Sequence, residues 1–238
     1  MTRTPRLAAF TLIELLVVIS ILALLAGIAV PTVYGAMEAA WASATHARMH
    51  SIKLALDAYR SAFHAYPPSN PALIERALGS AEHADTGSEA LRVSMRGWFR
   101  ASDGTIVIGQ GFRVKKVGGV GVVKSLYEPG GDHEEFASRD PKRGFGGAAR
   151  GYFFAGAFPA HRPILYFKAR SDAGGANPLT EAHNAKIINK WLASPAEGRL
   201  SFDDWTRRNG VFVGGSGILL IHPGPDGLYR NRDDFLVP

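Results

Sequence analysis

From Phe10 to Val30 the chain reads FTLIELLVVISILALLAGIAV, 21 residues whose single charge is Glu14. As a helix this run is about 31 Å long, against a bilayer hydrocarbon core of ~30 Å. A core helix of a soluble protein rarely extends so far without a polar face, so crossing a membrane is the expected use. A secretory signal peptide is the rival, because Arg3 and Arg6 precede the run as a basic n-region would. Against it, the run exceeds the about 7–15 residues of an h-region, and no clear small-x-small cleavage site follows. The first charge after the span is Glu38. The positive-inside rule then puts the N-terminus in the cytoplasm and the remainder across the membrane.

Glu14 is costly there, because an acidic side chain in hydrocarbon is penalised by a few kcal/mol, about 2.5–3.5 for Asp at a helix centre. Two readings account for it. Either it lies shallow enough to reach headgroups and water, or it pairs with a cation at similar depth. No Lys or Arg occurs between Phe10 and Val30, so that cation would be an N-terminal amine made by cutting the chain just before Phe10.

The segment AAFTLIELLVVISILALLAGIAVP resembles the N-terminal signature of type IV prepilins and the related pseudopilins of type II secretion. That signature comprises a short basic leader, a processing site, Phe-Thr-Leu-Ile-Glu and an apolar helix. The resemblance implies cleavage between Ala9 and Phe10 by a prepilin peptidase, N-methylation of Phe10, and a role for Glu14 in assembly. Pro31 stands where the family places a proline at the end of the membrane segment. Ala9 replaces the glycine usual before the cut. Removing 1–9 takes away Arg3 and Arg6, leaving 25 basic against 21 acidic side chains. With the remaining basic residues scattered, a nucleic-acid partner is not expected.

After Pro31 the helical pattern continues, alanine-rich, to about Ala65, with Ile52, Leu56, Tyr59 and Phe63 on one face. Pro31 removes a helix hydrogen bond, which predicts a kink or local break there. The expected organisation is a leader 1–9, a membrane and filament-core helix 10–30, its amphipathic continuation 31–65 and a head 66–238. In the head, strands are expected at Thr105–Ile108, Phe112–Val117, Val120–Leu126, Gly151–Phe154, Pro163–Ala169, Val211–Val213 and Gly217–His222. A helix is expected at about Glu181–Leu192, capped by Thr180, with Ile187, Ile188, Trp191 and Leu192 as its apolar side. One long helix packed on an antiparallel sheet makes the fold α+β, the pilin-like layout that the resemblance also implies.

Catalytic signatures are lacking. The pairs Glu134-Glu135, Asp203-Asp204 and Asp233-Asp234 are adjacent, and neighbours in a strand face opposite ways. No Gly-x-Ser-x-Gly or His-Glu-x-x-His occurs, and the glycine loops at 118–121, 128–132 and 144–151 lack phosphate-loop spacing and read as turns. An enzyme is not expected. His46 and His50 share a helix face but lack further ligands, so no metal is assigned to them.

The most specific head feature is HPGPDGLYRNRDDF, His222 to Phe235. Asp226 opens an Asp-Gly turn, and Asp233 and Asp234 return in a loop that would gather carboxylates around a hard cation such as calcium. The alternative is a turn whose aspartates cap backbone amides. The segment resembles the C-terminal loop of major pseudopilins, which implies calcium held by Asp226 and Asp233, with Asp234 next, in place of a tail disulfide. The chain has no cysteine, so no disulfide fastens that tail. Arg230 and Arg232 depart from the family pattern, and their charges would oppose a dication or pair with the aspartates.

The expected function is therefore a structural subunit of a type II secretion pseudopilus. Its expected partners are other copies of itself, prepilin peptidase, an inner-membrane assembly platform, minor pilins or pseudopilins, and membrane lipid. The expected location is the bacterial inner membrane, single-pass with a periplasmic head, and then a periplasmic or surface filament. The alternatives are a major or minor type IV pilin serving adhesion, motility or DNA uptake, and a membrane-anchored binding protein that never polymerises.

Overall fold

A computed structural model describes residues 11–78, 84–108, 112–116, 119–123, 153–170, 177–213 and 217–238. The chain divides into two compact units, Met1–Ala40 and Trp41–Pro238. Helix α1, Leu12–Phe63, belongs to both and continues through Pro31 without the local break that the proline predicts. In the first unit every described residue is exposed, apolar side chains included. This stretch is long and apolar enough to cross a membrane, and none of it is buried.

The second unit is built around a strand that must be covered twice. Strand β8, Ile218–His222, is buried at every position. It lies between β5, Leu165–Lys168, and β9, Phe235–Val237, both antiparallel to it. Side chains alternate across a strand, so Tyr166, Ile218, Leu220 and Val237 face one core cluster while Leu165, Phe167, Leu219 and Ile221 face another. The near-continuous apolar run of β8 is what two buried faces require.

On the first face lie Met49, Ile52, Ala55 and Leu56 of α1, with Leu91 and Met95 of α3, Gly87–Arg96. Ile52 and Leu56 are the expected apolar stripe. Tyr59 packs partly buried against the same cluster, and its ring lies 4.5 Å from that of Phe63. On the other face, Ile187 and Ile188 of α4, Ala185–Lys190, meet Trp205 of α5, Phe202–Trp205, and Tyr229 of the C-terminal loop. The long N-terminal helix and antiparallel strands make this an α+β fold, consistent with the expected pilin-like layout.

Short pairs complete the described elements: β1, Trp98–Arg100, with β2, Ile106–Ile108; β3, Phe112–Lys116, with β4, Gly119–Val123; and β6, Arg207–Arg208, with β7, Val211–Phe212. Helix α2, Pro71–Leu78, follows α1. Sequence periodicity missed α2, α3, α5, β1, β6 and β9, all short. Thr86 caps α3 reciprocally with Glu89, a Thr-x-x-Glu box readable in the sequence. Thr180 makes no side-chain cap, because a turn of 3-10 helix, Glu181–Asn184, precedes α4 and its N-cap position falls to Asn184. Asn184 instead ties three elements together: its Oδ1 accepts from the Ser88 amide and hydroxyl, each at 3.1 Å, and its Nδ2 donates to the Tyr166 carbonyl at 2.8 Å.

The glycine loops at 128–132 and 144–151, Gly118, Glu134-Glu135, and the expected strand residues 117, 124–126 and 151–152 lie outside the described residues.

Leu56 has no exposed surface, whereas Leu54 on the same helix is 70% exposed. Leu56→Ala is expected to cost about 2–5 kcal/mol, and Leu54→Ala to stay within about 0.5 kcal/mol. Urea unfolding of the two variants in the same detergent checks the contrast.

Candidate functional sites at the two ends of the chain

The first candidate site is the start of α1. Thr11 precedes the helix, and its amide and hydroxyl both donate to Glu14 Oε2, at 2.8 and 2.7 Å. The Glu14 amide donates back to Thr11 Oγ1 at 3.3 Å. This is a capping box, in which two of the otherwise unsatisfied amides of a helix N-terminus find acceptors on side chains. Within this chain, then, the partner of Glu14 is Thr11, an uncharged residue whose Thr-x-x-Glu spacing is legible in the sequence. Ala9 and Phe10, the expected processing residues, lie outside the described residues.

Two other polar side chains near the apolar run also satisfy themselves locally. Ser20 Oγ donates to the Leu16 carbonyl at 2.8 Å, and Thr32 Oγ1, just after Pro31, to the Ala29 carbonyl at 2.8 Å. Such back-bonding hides hydroxyls from hydrocarbon. What remains outward is a sleeve of aliphatic side chains, including Leu12 at 81% and Leu24 at 67% exposure.

Residues 6–30 match the prokaryotic N-terminal methylation motif. That motif is the type IV prepilin and pseudopilin signature. It implies processing by a prepilin peptidase and assembly with pilin-like partners, and the exposed apolar helix fits a single-pass membrane anchor. No curated protein and no solved structure matches the chain.

The second candidate site is the loop from Pro223 to Asp234, between β8 and β9. Its backbone is bound into the head: the Tyr229 amide donates to the Trp191 carbonyl at 2.7 Å, and the Ala193 amide to the Tyr229 carbonyl at 3.0 Å. The buried Tyr229 hydroxyl donates to the Pro163 carbonyl. Arg162, stacked over Trp191 at 4.5 Å, donates from Nε to the Gly227 carbonyl at 3.1 Å.

The three expected aspartates have separate surroundings. Asp226 Oδ1 accepts from the Leu228 amide at 2.8 Å, and its Oδ2 from Asn231 Nδ2 at 2.5 Å. Asp233 lies over Gly224, where a Cβ would come within 2.6 Å of its Oδ2, so only glycine fits. Partial desolvation, then the Asp226 charge, raises the Asp233 carboxyl above its usual range. Asp234 is buried, and its Oδ2 accepts from Trp205 Nε1, from the Arg230 amide at 2.9 Å and from the Asn231 amide at 3.3 Å. Burial nevertheless pushes this carboxyl up to about 8.

Among the described residues no three or more His, Asp and Glu side chains converge as a metal cluster. In Asp226 and Asp234 the amide-capping reading is realised in the hydrogen bonds themselves. Two observations still suit a hard cation. Asp234 Oδ1 and Asn231 Oδ1 are buried acceptor oxygens without partners, and calcium accepts amide as well as carboxylate oxygen. The expected opposition from Arg230 is also relieved, because its guanidinium turns to Glu181 Oε1 and the Leu200 carbonyl, each at 2.9 Å. Asn231 was missed by the sequence reading, which sought charged ligands. His46, set aside as a metal ligand, stacks on Phe235 with centroids 4.4 Å apart.

Tyr229→Phe removes one hydroxyl and leaves the Pro163 carbonyl without that donor in a buried setting. It is expected to destabilise the protein by about 1–3 kcal/mol. Chemical denaturation checks this, and a variant as stable as the parent would show that the bond does not hold the loop.

Proposed function

We propose that this chain is a structural subunit of a prepilin-derived filament, cut between Ala9 and Phe10, methylated at Phe10, and assembled through 10–30. The motif match at 6–30 together with the uncovered aliphatic sleeve of α1 carries this reading. An anchor alone would not need Glu14 near the start of the apolar run. In assembly, Glu14 exchanges its Thr11 contacts for the Phe10 amine of a neighbouring copy, an attraction strengthened by the low dielectric. Heterologous contacts that do not close then propagate a filament. Arg3 and Arg6 keep the N-terminus cytoplasmic and the head on the far side.

Within this class we favour a type II secretion pseudopilin, supported by the absence of cysteine and by the acidic C-terminal loop. A type IV pilus subunit is the second reading. In the loop, calcium would be held by Asp226 and Asp233, with Asp234 Oδ1 and Asn231 Oδ1 as the buried oxygens it would satisfy. Its role would be to neutralise the facing carboxylates and fasten the tail. The proposed role is structural, without catalysis.

Mass spectrometry of the natural N-terminus should find a chain beginning at methylated Phe10; retention of 1–9 would reject processing. Glu14→Ala should insert in the membrane yet leave sheared filament yield at background, and a normal yield would overturn the pairing. For calcium at about a hundred times its Kd, linkage adds about 2.7 kcal/mol. Melting of the full chain should therefore rise over the EDTA control, and Asp233→Asn should abolish the rise.

A further inference from the structure

His222 ends β8, has no exposed surface, and neither Nδ1 nor Nε2 has a hydrogen-bond partner. Buried polar groups are ordinarily paired, and an imidazole left without partners in a core is an exception that calls for a cause. Its ring lies near-parallel to Phe158, at 5.6 Å and 15°, and at 6.1 Å from Phe235, its partner across the β8–β9 ladder. Gly156 closes a third side so tightly that a Cβ there would fall 2.1 Å from Nε2. Phe158 and Phe235 are themselves 6.0 Å apart, so the three rings form one cluster.

This cluster is where α1 meets the head. The Ala157 amide donates to the buried Thr45 Oγ1 at 2.9 Å, Trp41 lies 6.3 Å from Phe158, and His46 stacks on Phe235. From α1 the titratable and charged groups facing His222 are Arg48 and His46, and both oppose a positive charge on it. The 156–158 stretch offers glycine, alanine and phenylalanine, and β9 offers Phe235. No described carboxylate is among the groups acting on the ring.

We infer that His222 makes the junction of α1 with the 156–158 loop and the β8–β9 end an acid-releasable clasp. The neutral ring closes it, and a proton taken from solvent on either nitrogen opens it. A charged imidazole has no acceptor in this site and no room to find one while Gly156 holds the ring edge. Opening therefore proceeds by expulsion of the ring, which separates Ala157 from Thr45 and frees α1 at its entry into the head. A phenylalanine at this position would supply the same stacking with no response to acid.

The direction of the response follows from linkage. Burial, reinforced by Arg48 and His46, lowers the His222 pKa from 6.5 to about 3. The closed state thus binds fewer protons than the open one, and closure is fully favourable only above about 6.5. As pH falls from there towards about 3, opening becomes easier by about tenfold per pH unit.

The test is hydrogen exchange of the full chain in detergent micelles, read on peptides covering 153–159 and corrected for intrinsic exchange. Between pH 6 and 5, protection of the Ala157 amide should fall about tenfold in the parent and remain constant in His222→Leu. Equal pH dependence in both proteins would overturn the clasp. Should His222→Leu not fold, imidazole NMR of the parent decides. A His222 ring that stays neutral while folded, with exchange rising in acid, supports the clasp; a folded-state midpoint near the ordinary histidine value with unchanged exchange overturns it.

Discussion

The second unit depends on burying both faces of one strand. The run Ile218–Ile221 offers no side to solvent, and strands on either flank cover its edges but not its faces. Alternating side chains divide the interior into two cores on opposite faces of the sheet. One core is completed by α1 and α3, the other by α4, α5 and Tyr229. Each buried aliphatic side chain contributes about 1.5–3 kcal/mol relative to exposure. Neither cover is therefore dispensable, and the segment of α1 from Met49 to Leu56 is as much a core element as the strands.

The same constraint explains how a chain without cysteine secures its tail. Strand β9 supplies Phe235 and Val237 to the α1 core, but the loop before it must cross the opposite side of the sheet. There it is held by Tyr229 in the second core, by backbone bonds to 191 and 193, and by Arg162 on Gly227. Asp234 adds a buried acceptor for Trp205 and two amides. Fastening is thus spread over packing and hydrogen bonds. The exposed carboxylates of Asp226 and Asp233 remain at the rim, where a cation would act on an already closed loop.

Parts of this arrangement were legible beforehand because they obey local rules. The long helix, the Ile52–Leu56 stripe, the strands now seen as β5 and β8, and the Ile187–Ile188 contact all follow from periodicity. Thr11-x-x-Glu14 and Thr86-x-x-Glu89 are one and the same capping pattern, legible as a fixed spacing but read at neither position; at the first, a charge in an apolar segment pointed to a countercharge instead. Strand β9, three residues long, has no periodicity to detect and exists because β8 offers it an edge. Asn184 is unreadable for the opposite reason, since its partners at 88 and 166 are distant in sequence.

By itself the sequence determined the membrane-length helix, the N-terminal methylation motif and the α+β class, because these rest on unbroken runs, fixed spacings and composition. Only the tertiary structure decided which oxygens of the C-terminal loop are taken by amides and which stay unpartnered. It also decided that Arg230 turns towards Glu181, and that His222 lies buried and without a hydrogen-bond partner among aromatic rings. The reason is that burial and hydrogen-bond pairing are set by segments brought together from far along the chain. No residue's own neighbours in sequence carry that information.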